Sequence, residues 1–259
     1  MNHTPISITF LGTGTSSGVP MIGCKCEVCL STNPNDNRLR SSVLVKSATT
    51  TFVIDTTPDF RYQMLRIGND NLDAVLFTHP HKDHTGGLDD IRPYNYFQKK
   101  SIHVYANKLT EENLRREYYY AFTSEKLVGL PEIILHTIDE TPFMIGDIEI
   151  IPIKVWHMKM MVYGYRIGNF TYITDANRLE DDQKEKIKGS EIMVLNSLRK
   201  EKHISHFSLS EAIEIVQELG IKQSYFTHIS HQLGLHNAIN NELPIGISLA
   251  YDGLTIEMK

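Results

Sequence analysis

Thr78-His79-Pro80-His81-Lys82-Asp83-His84-Thr85-Gly86-Gly87 is the stretch on which the reading of this chain turns. Its imidazoles and carboxylate follow directly on an apolar run, Ala74-Val75-Leu76-Phe77, which reads as a buried strand ending in a loop. On an extended stretch residues i and i+2 project to the same side, so His79 and His81 converge on one metal ion. Asp83 and His84 fall after the turn, open a helix and point to a second position. A mixed nitrogen and oxygen donor set suits zinc, manganese or iron(II). Chance gathering on a solvated loop is the alternative; the preceding buried strand and Gly86-Gly87 argue against it.

Other chemistry-bearing residues also follow apolar segments. Leu11-Gly12-Thr13-Gly14 comes after a first strand, and Phe52-Val53-Ile54-Asp55 is a strand ending in aspartate. His157 follows the strand Ile148 to Trp156, Tyr172-Ile173-Thr174-Asp175 carries a second acid, and Phe226-Thr227-His228 a late histidine. In this order the pieces resemble the metallo-β-lactamase fold superfamily of metal-dependent hydrolases, over nearly the whole chain. Gly23-Cys24-Lys25-Cys26-Glu27-Val28-Cys29 narrows the resemblance. It is similar to the branch containing the cyclic phosphodiesterase of phosphonate breakdown, which acts on 5-phosphoribosyl 1,2-cyclic phosphate. That branch pairs a dinuclear active site with a separate structural zinc.

The resemblance implies an α/β (α+β) chain folded as a four-layered αβ/βα sandwich. It places His79, His81 and His157 on a first divalent ion and Asp83, His84 and His228 on a second, with Asp175 bridging. Manganese or zinc would fill both positions. Asp83 also stands with His206 among the expected catalytic residues. Two cations roughly 3.5–4 Å apart repel, so a shared anion between them is a physical requirement. Taken singly, His157 reads equally as a half-buried core histidine, and Asp175 as a cap for a helix beginning at Asn177.

His206 lies in His203-Ile204-Ser205-His206-Phe207-Ser208 and resembles the position of a catalytic histidine in that branch. A leaving alkoxide needs a proton, which an imidazole can give at neutral pH. The alternative is a solvated loop histidine beside Lys200 and Lys202. His203 is expected as a substrate neighbour. Arg92 follows the metal motif closely enough to reach a bound phosphate, or else pairs with Asp90. Arg40, Arg61 and Arg199 are weaker candidates.

All three cysteines lie in the window 24–29, so no distant cysteine can staple the fold. Cys24, Cys26 and Cys29 make three thiolates, one short of the tetrahedral shell that structural zinc prefers. The resemblance points to His231 as the fourth ligand, with His236 second, and to a structural zinc loop at 23–30. A trio of reduced buried thiols is the plainer alternative.

At 259 residues without repeat or linker, the chain is expected to form one domain over 1–259. The net charge of −5 argues against a general nucleic-acid coat, which needs clustered Lys and Arg. No apolar run approaches a membrane span, and Met1-Asn2-His3-Thr4-Pro5 lacks the basic start of a signal peptide, so a cytoplasmic location is expected. Strands are expected at 6–11, 42–46, 51–55, 73–78, 102–106, 132–138, 147–156, 162–167, 170–174, 192–196, 221–227 and 247–250. Helices are expected at 58–67, 109–122, 178–188 and 208–219, the last with Ser208 and Glu211 as a capping box.

The expected function is a dinuclear phosphodiesterase acting on a small cyclic phosphate. Its partners would be a small phosphorylated substrate and, as an open alternative, a second copy in a homodimer; no membrane or nucleic acid is expected. A tRNA 3′-processing endonuclease shares the fold, but its family inserts a tRNA-gripping arm between the positions matching His157 and Asp175. Only 17 residues separate them here. A thioester or lactone hydrolase, and a metal-binding regulatory scaffold without activity, are the remaining alternatives.

Overall fold

A computed structural model describes residues 5–123 and 129–258 of the chain; the reading of Met1 to Thr4 lies outside the described residues. The first half runs β1 (Ile6–Gly12), β2 (Ser42–Lys46), β3 (Thr51–Ile54), α1 (Phe60–Ile67), β4 (Ala74–Leu76) and the one-turn helix α2 (Lys82–Thr85). It continues through α3 (Arg92–Gln98), β5 (Ile102–Ala106), α4 (Lys108–Glu117) and β6 (Ile133–Thr137). The second half runs β7 (Phe143–Ile145), β8 (Ile148–His157), β9 (Met160–Ile167), β10 (Phe170–Ile173), α5 (Asp181–Ile187) and β11 (Ile192–Asn196). It closes with α6 (Leu209–Glu218), β12 (Gln223–Thr227), α7 (His236–Glu242), β13 (Ile247–Leu249) and β14 (Thr255–Met258).

The strands form two sheets of seven, ordered β14-β1-β2-β3-β4-β5-β6 and β13-β12-β11-β10-β9-β8-β7. Each is antiparallel on one side and parallel on the other, the parallel runs being β3 to β6 and β10 to β13. Because side chains alternate along a strand, each sheet has two apolar faces to cover. Phe10, Val45, Phe52 and Ile54 of the first sheet pack against Tyr165, Phe170 and Tyr172 of the second. On the outer faces Val53 and Val75 meet Phe60 and Met64 of α1, while Leu195 and Phe226 meet Ala212 and Val216 of α6. Burying each such large side chain stabilises the fold by about 1.5–3 kcal/mol relative to exposure. The layering is the expected αβ/βα sandwich.

Several element boundaries differ from expectation. The strand expected over 73–78 pairs only at Ala74–Leu76, because the Thr78 amide is taken by the Asp55 carboxylate at 2.9 Å. Asp59 binds Arg40 in an ion pair of 2.9 Å, and α1 starts only at Phe60, leaving Pro58 outside it. The helix expected to Phe122 ends at Glu117, capped at its start by the Asn107 side chain, and a separate 3-10 turn follows at Tyr119–Phe122. His157 is the last residue of β8 rather than its successor. The α5 helix begins at Asp181, so Asp175 does not cap it. The capping box of α6 is present as read. The sequence reading missed α3, α7, β7 and β14.

What this architecture contributes to function is a shared rim. Asp55 follows β3, His79 closely follows β4, His157 ends β8, Asp175 closely follows β10 and His228 follows β12. Three of these residues hold positive φ: Asp55 at 66°, Asp175 at 54° and His228 at 56°. Left-handed backbone costs a non-glycine residue roughly 1–2 kcal/mol, so the surrounding packing must impose it. Gly87 serves the same rim by close approach, since a Cβ there would strike the Thr57 carbonyl and the Phe60 Cβ.

Candidate metal centre and active site

The rings gather as one cluster. His79 lies 4.7 Å from His81 and 4.2 Å from His84 between ring centroids, and His81 lies 5.2 Å from His157. His206 closes the far side, 4.8 Å from His157 and 4.9 Å from His228. Asp175 sits between two groups of donors. Its Oδ2 is 3.1 Å from His84 Nε2 and 3.1 Å from His228 Nδ1, while its Oδ1 is 3.1 Å from His206 Nε2. Asp83 Oδ2 approaches His84 Nε2 at 3.2 Å. Asp83, His84, Asp175 and His228 thus form one convergent donor set, the set expected for the second ion. On the other side the convergent set is His157, Asp175 and His206, not the expected trio; the His79 and His81 rings lie next to it, 5.9 and 5.2 Å from the His157 ring between centroids.

The donors fit a divalent metal on three counts. Donor atoms around an ion at about 2.1 Å are about 3.0–3.4 Å apart, which is the spacing seen here. His79 Nε2 is buried without a hydrogen bond, a costly state unless a metal accepts its lone pair. The electrostatics also call for a cation. Burial holds the His79 imidazole well below its ordinary pKa and pushes His228 down to about 3, keeping both neutral as ligation requires. Burial acts the same way on His84, yet Asp175, Asp83 and Asp55 override it and drive that imidazole well above its ordinary pKa.

The candidate ligands are oriented from behind. His84 Nδ1 is 2.7 Å from Asp55 Oδ2, His79 Nδ1 is 2.9 Å from Thr78 Oγ1, and His157 Nδ1 is 2.8 Å from the Ser205 carbonyl. Such contacts fix ring orientation and raise ligand basicity. Sequence reasoning named Asp55 only as a strand-ending acid, and it missed Thr78 and Ser205 altogether. An aspartate ending one strand beside the histidine motif ending its neighbour was the available signal for Asp55.

Ser205 Oγ stands between two more imidazoles, 2.8 Å from His206 Nδ1 and 3.0 Å from His203 Nδ1. Arg92 is placed otherwise. Its guanidinium pairs with Asp89, not Asp90, and donates to the Gly129 carbonyl at 3.4 Å; none of its bonds reaches the cluster. Arg40 is taken by Asp59, and Arg199 by Gln232 at 2.9 Å.

The second candidate centre is linked to the first along the chain, His231 standing three residues after His228. His231 Nδ1 is 3.4 Å from Cys24 Sγ and 3.3 Å from Cys26 Sγ, and these three converge with Cys29. A sulfur and a nitrogen on one tetrahedral zinc are about 3.5 Å apart, so the spacing fits. The hydrogen bond from His231 pulls the Cys26 thiol down to about 6. Backbone pairing of Gly14 with Ile229 brings the cysteine loop to His231. His236 is engaged elsewhere, 2.9 Å from the buried Arg38 guanidinium.

Residues 50–229 match the family model described as the beta-lactamase superfamily domain. Among solved structures, a diphosphatase described as a new member of the PhnP family is 40% identical, with a TM-score of 0.92 and coverage of 98% of this chain and 97% of that one. The metallo-beta-lactamase fold protein YhfI from Bacillus subtilis, 18% identical over 99% of this chain and 100% of its own, has a TM-score of 0.77 and shares the fold. A curated relative from Porphyromonas gingivalis named octanoyltransferase is 36% identical over 94% of this chain, which spans only 50% of that protein. Rim geometry, donor chemistry and relatives converge: the chain belongs to the beta-lactamase superfamily domain family and is a metal-dependent hydrolase of metallo-β-lactamase fold resembling the PhnP branch.

Proposed function

We propose that this hydrolase is a phosphodiesterase cleaving a small cyclic phosphate such as 5-phosphoribosyl 1,2-cyclic phosphate, and that it does so as a single domain. The observation that carries the reading is the diphosphatase of the PhnP family, 40% identical over nearly the full length of both chains, which acts at phosphorus. His79, His81 and His157 would hold one ion, and Asp83, His84 and His228 the other, with Asp175 shared. Manganese or zinc suits these donors, and zinc suits the cysteine loop. When bound, the paired ions supply water activation and neutralise charge at phosphorus.

The chain's own residues supply the rest. The leaving sugar oxygen departs as water's oxygen bonds to phosphorus, and it takes a proton from His206 Nε2. Ser205 Oγ, donating to His206 Nδ1, would hold that tautomer. Asp175 Oδ1, 3.1 Å from Nε2, keeps the ring turned inward. The interval between His157 and Asp175 is filled by β9 and β10, with no separate arm for gripping RNA. Cytoplasmic location and homodimer formation belong to the same proposal.

A second reading follows from the same relative: the scissile bond is the P–O–P linkage of a diphosphate, cleaved by identical in-line chemistry. Purified protein loaded with manganese or zinc should be assayed on the cyclic phosphate, a linear diester, a diphosphate, a thioester and a lactone. Turnover of the cyclic phosphate is expected. Preference for the diphosphate would favour the second reading, and turnover of the thioester or lactone alone would sink both.

A further inference from the structure

Asn177 has no place among the ligands, yet its side chain ties two parts of the active-site rim together. Its Oδ1 accepts from the Met158 amide at 2.8 Å, immediately after the ligand His157. Its Nδ2 donates to the Ile204 carbonyl at 2.9 Å, two residues before His206. The Asn177 amide itself donates to the Trp156 carbonyl at 2.9 Å, and a bridge between Trp156 and Arg178 fixes the other flank. One carboxamide therefore spans the end of β8, the turn after Asp175 and the loop carrying His203 and His206.

The staple acts on backbone at the exposed edge of the site. Met158 is in left-handed backbone at φ 56° with its side chain half exposed, and Ile204 is 73% exposed, so neither is anchored by burial. Besides Asn177, the loop's polar ties include the His157–Ser205 bond of 2.8 Å, the His206–Asp175 contact of 3.1 Å, a Phe207 amide bond of 2.8 Å to the Ala176 carbonyl and a Leu198 amide bond of 3.0 Å to the Phe207 carbonyl. All of these grip the loop beyond Ile204, so Asn177 is what ties its leading half to the end of β8. Asparagine is also the residue type this site demands. It accepts on one atom and donates on the other, whereas aspartate offers no donor for the Ile204 carbonyl.

We propose that Asn177 is a positioning residue that sets His206 against the reacting phosphate by clamping the 203–207 loop to the end of β8. The inference rests on the reading of His206 as the proton donor. A misplacement of about 1 Å can cost on the order of 10²-fold in rate. Asn177→Ala should therefore lower kcat about 10- to 100-fold on an ester with a poor leaving group, with KM and metal content unchanged. On an activated nitrophenyl ester, whose leaving group needs no proton, the loss should vanish. Asn177→Asp should be no better than alanine, because its carboxylate faces a carbonyl. Hydrogen exchange supplies a readout without catalysis: amides around Ile204 and Ser205 should exchange faster in Asn177→Ala, with the sheets unchanged.

His206→Ala, run alongside, separates the two ideas. A selective loss in His206→Ala with an equal loss on both esters in Asn177→Ala, or with unchanged exchange at 204–205, would overturn the positioning role alone. An equal loss on both esters in His206→Ala would remove the proton-donor reading and this role for Asn177 with it. Wild-type behaviour of Asn177→Asp would also overturn it.

Discussion

Asp55 and His84 are both fully buried, and the carboxylate of one holds the ring of the other at 2.7 Å. The contact settles which face of His84 points into the cluster. Asp55 also accepts from the Thr78 amide at 2.9 Å and the Thr78 hydroxyl at 2.8 Å, so one side chain braces the strand end that carries His79. Asp55→Asn keeps the shape but leaves one oxygen where two serve three donors. Metal affinity or activity is predicted to fall about 10- to 100-fold, measured by titration of the metal-free protein. Unchanged affinity would show that His84 needs no such support.

Asp175→Asn tests the shared anion. Because the two oxygens of Asp175 face different donor groups, its loss is predicted to reduce metal content at both positions, whereas His81→Ala should weaken one. Metal analysis by mass spectrometry, with manganese as the loaded ion, distinguishes the two. A variant Asp175→Asn that still held both ions would refute the bridge.

For the cysteine loop, Cys26→Ser and His231→Ala are each predicted to release one zinc and to lower the melting temperature, because binding of structural metal is coupled to folding. His236→Ala should keep the zinc, since its ring faces Arg38. Zinc retained by His231→Ala and lost by His236→Ala would reverse the assignment.

His236 itself should mark stability against pH. Burial, and then the Arg38 guanidinium, push its pKa down to about 4, below the unfolded imidazole value of about 6.5. The folded state therefore binds this proton more weakly than the unfolded state. Its contribution is full above pH of about 6.5 and is lost as pH falls towards 4. Denaturant midpoints between pH 7 and 4.5 should fall more steeply in the wild type than in His236→Asn, and parallel curves would count against it.

Gly87→Ala is predicted to destabilise the protein by about 1–3 kcal/mol, the usual range for overpacking. The obstacle is partly backbone, the Thr57 carbonyl, which cannot rotate away as a side chain would. An unchanged melting temperature would show that the α1 loop yields more readily than its contacts suggest.

The candidate ligands were legible in the sequence because their chemistry is unusual and because they sit where apolar runs end. Their supports were not. Thr78, Ser205 and Asn177 are ordinary polar residues whose roles come from partners brought near by the fold. Arg92 was read towards the substrate because it follows the motif closely, but Asp89 lies one helical turn away and captures it. The α3 helix escaped notice because exposed Tyr96 and Phe97 blur any apolar stripe, and α7 because His236-Asn237-Ala238-Ile239-Asn240-Asn241-Glu242 reads as polar loop. The short strand β14 does alternate, Thr255-Ile256-Glu257-Met258 running exposed and buried in turn, but over four residues only, and pairing with β1 fixes it.

The left-handed backbone of Asp55, Asp175 and His228 bears on how mutants of this rim are interpreted. Alanine at any of them removes a functional group and also places a residue poorly suited to that conformation, so lost activity would mix chemistry with distortion. Asparagine tolerates the same dihedral angles far better. At these three positions it is the substitution whose kinetic deficit can be assigned to the exchanged side-chain group rather than to a displaced turn.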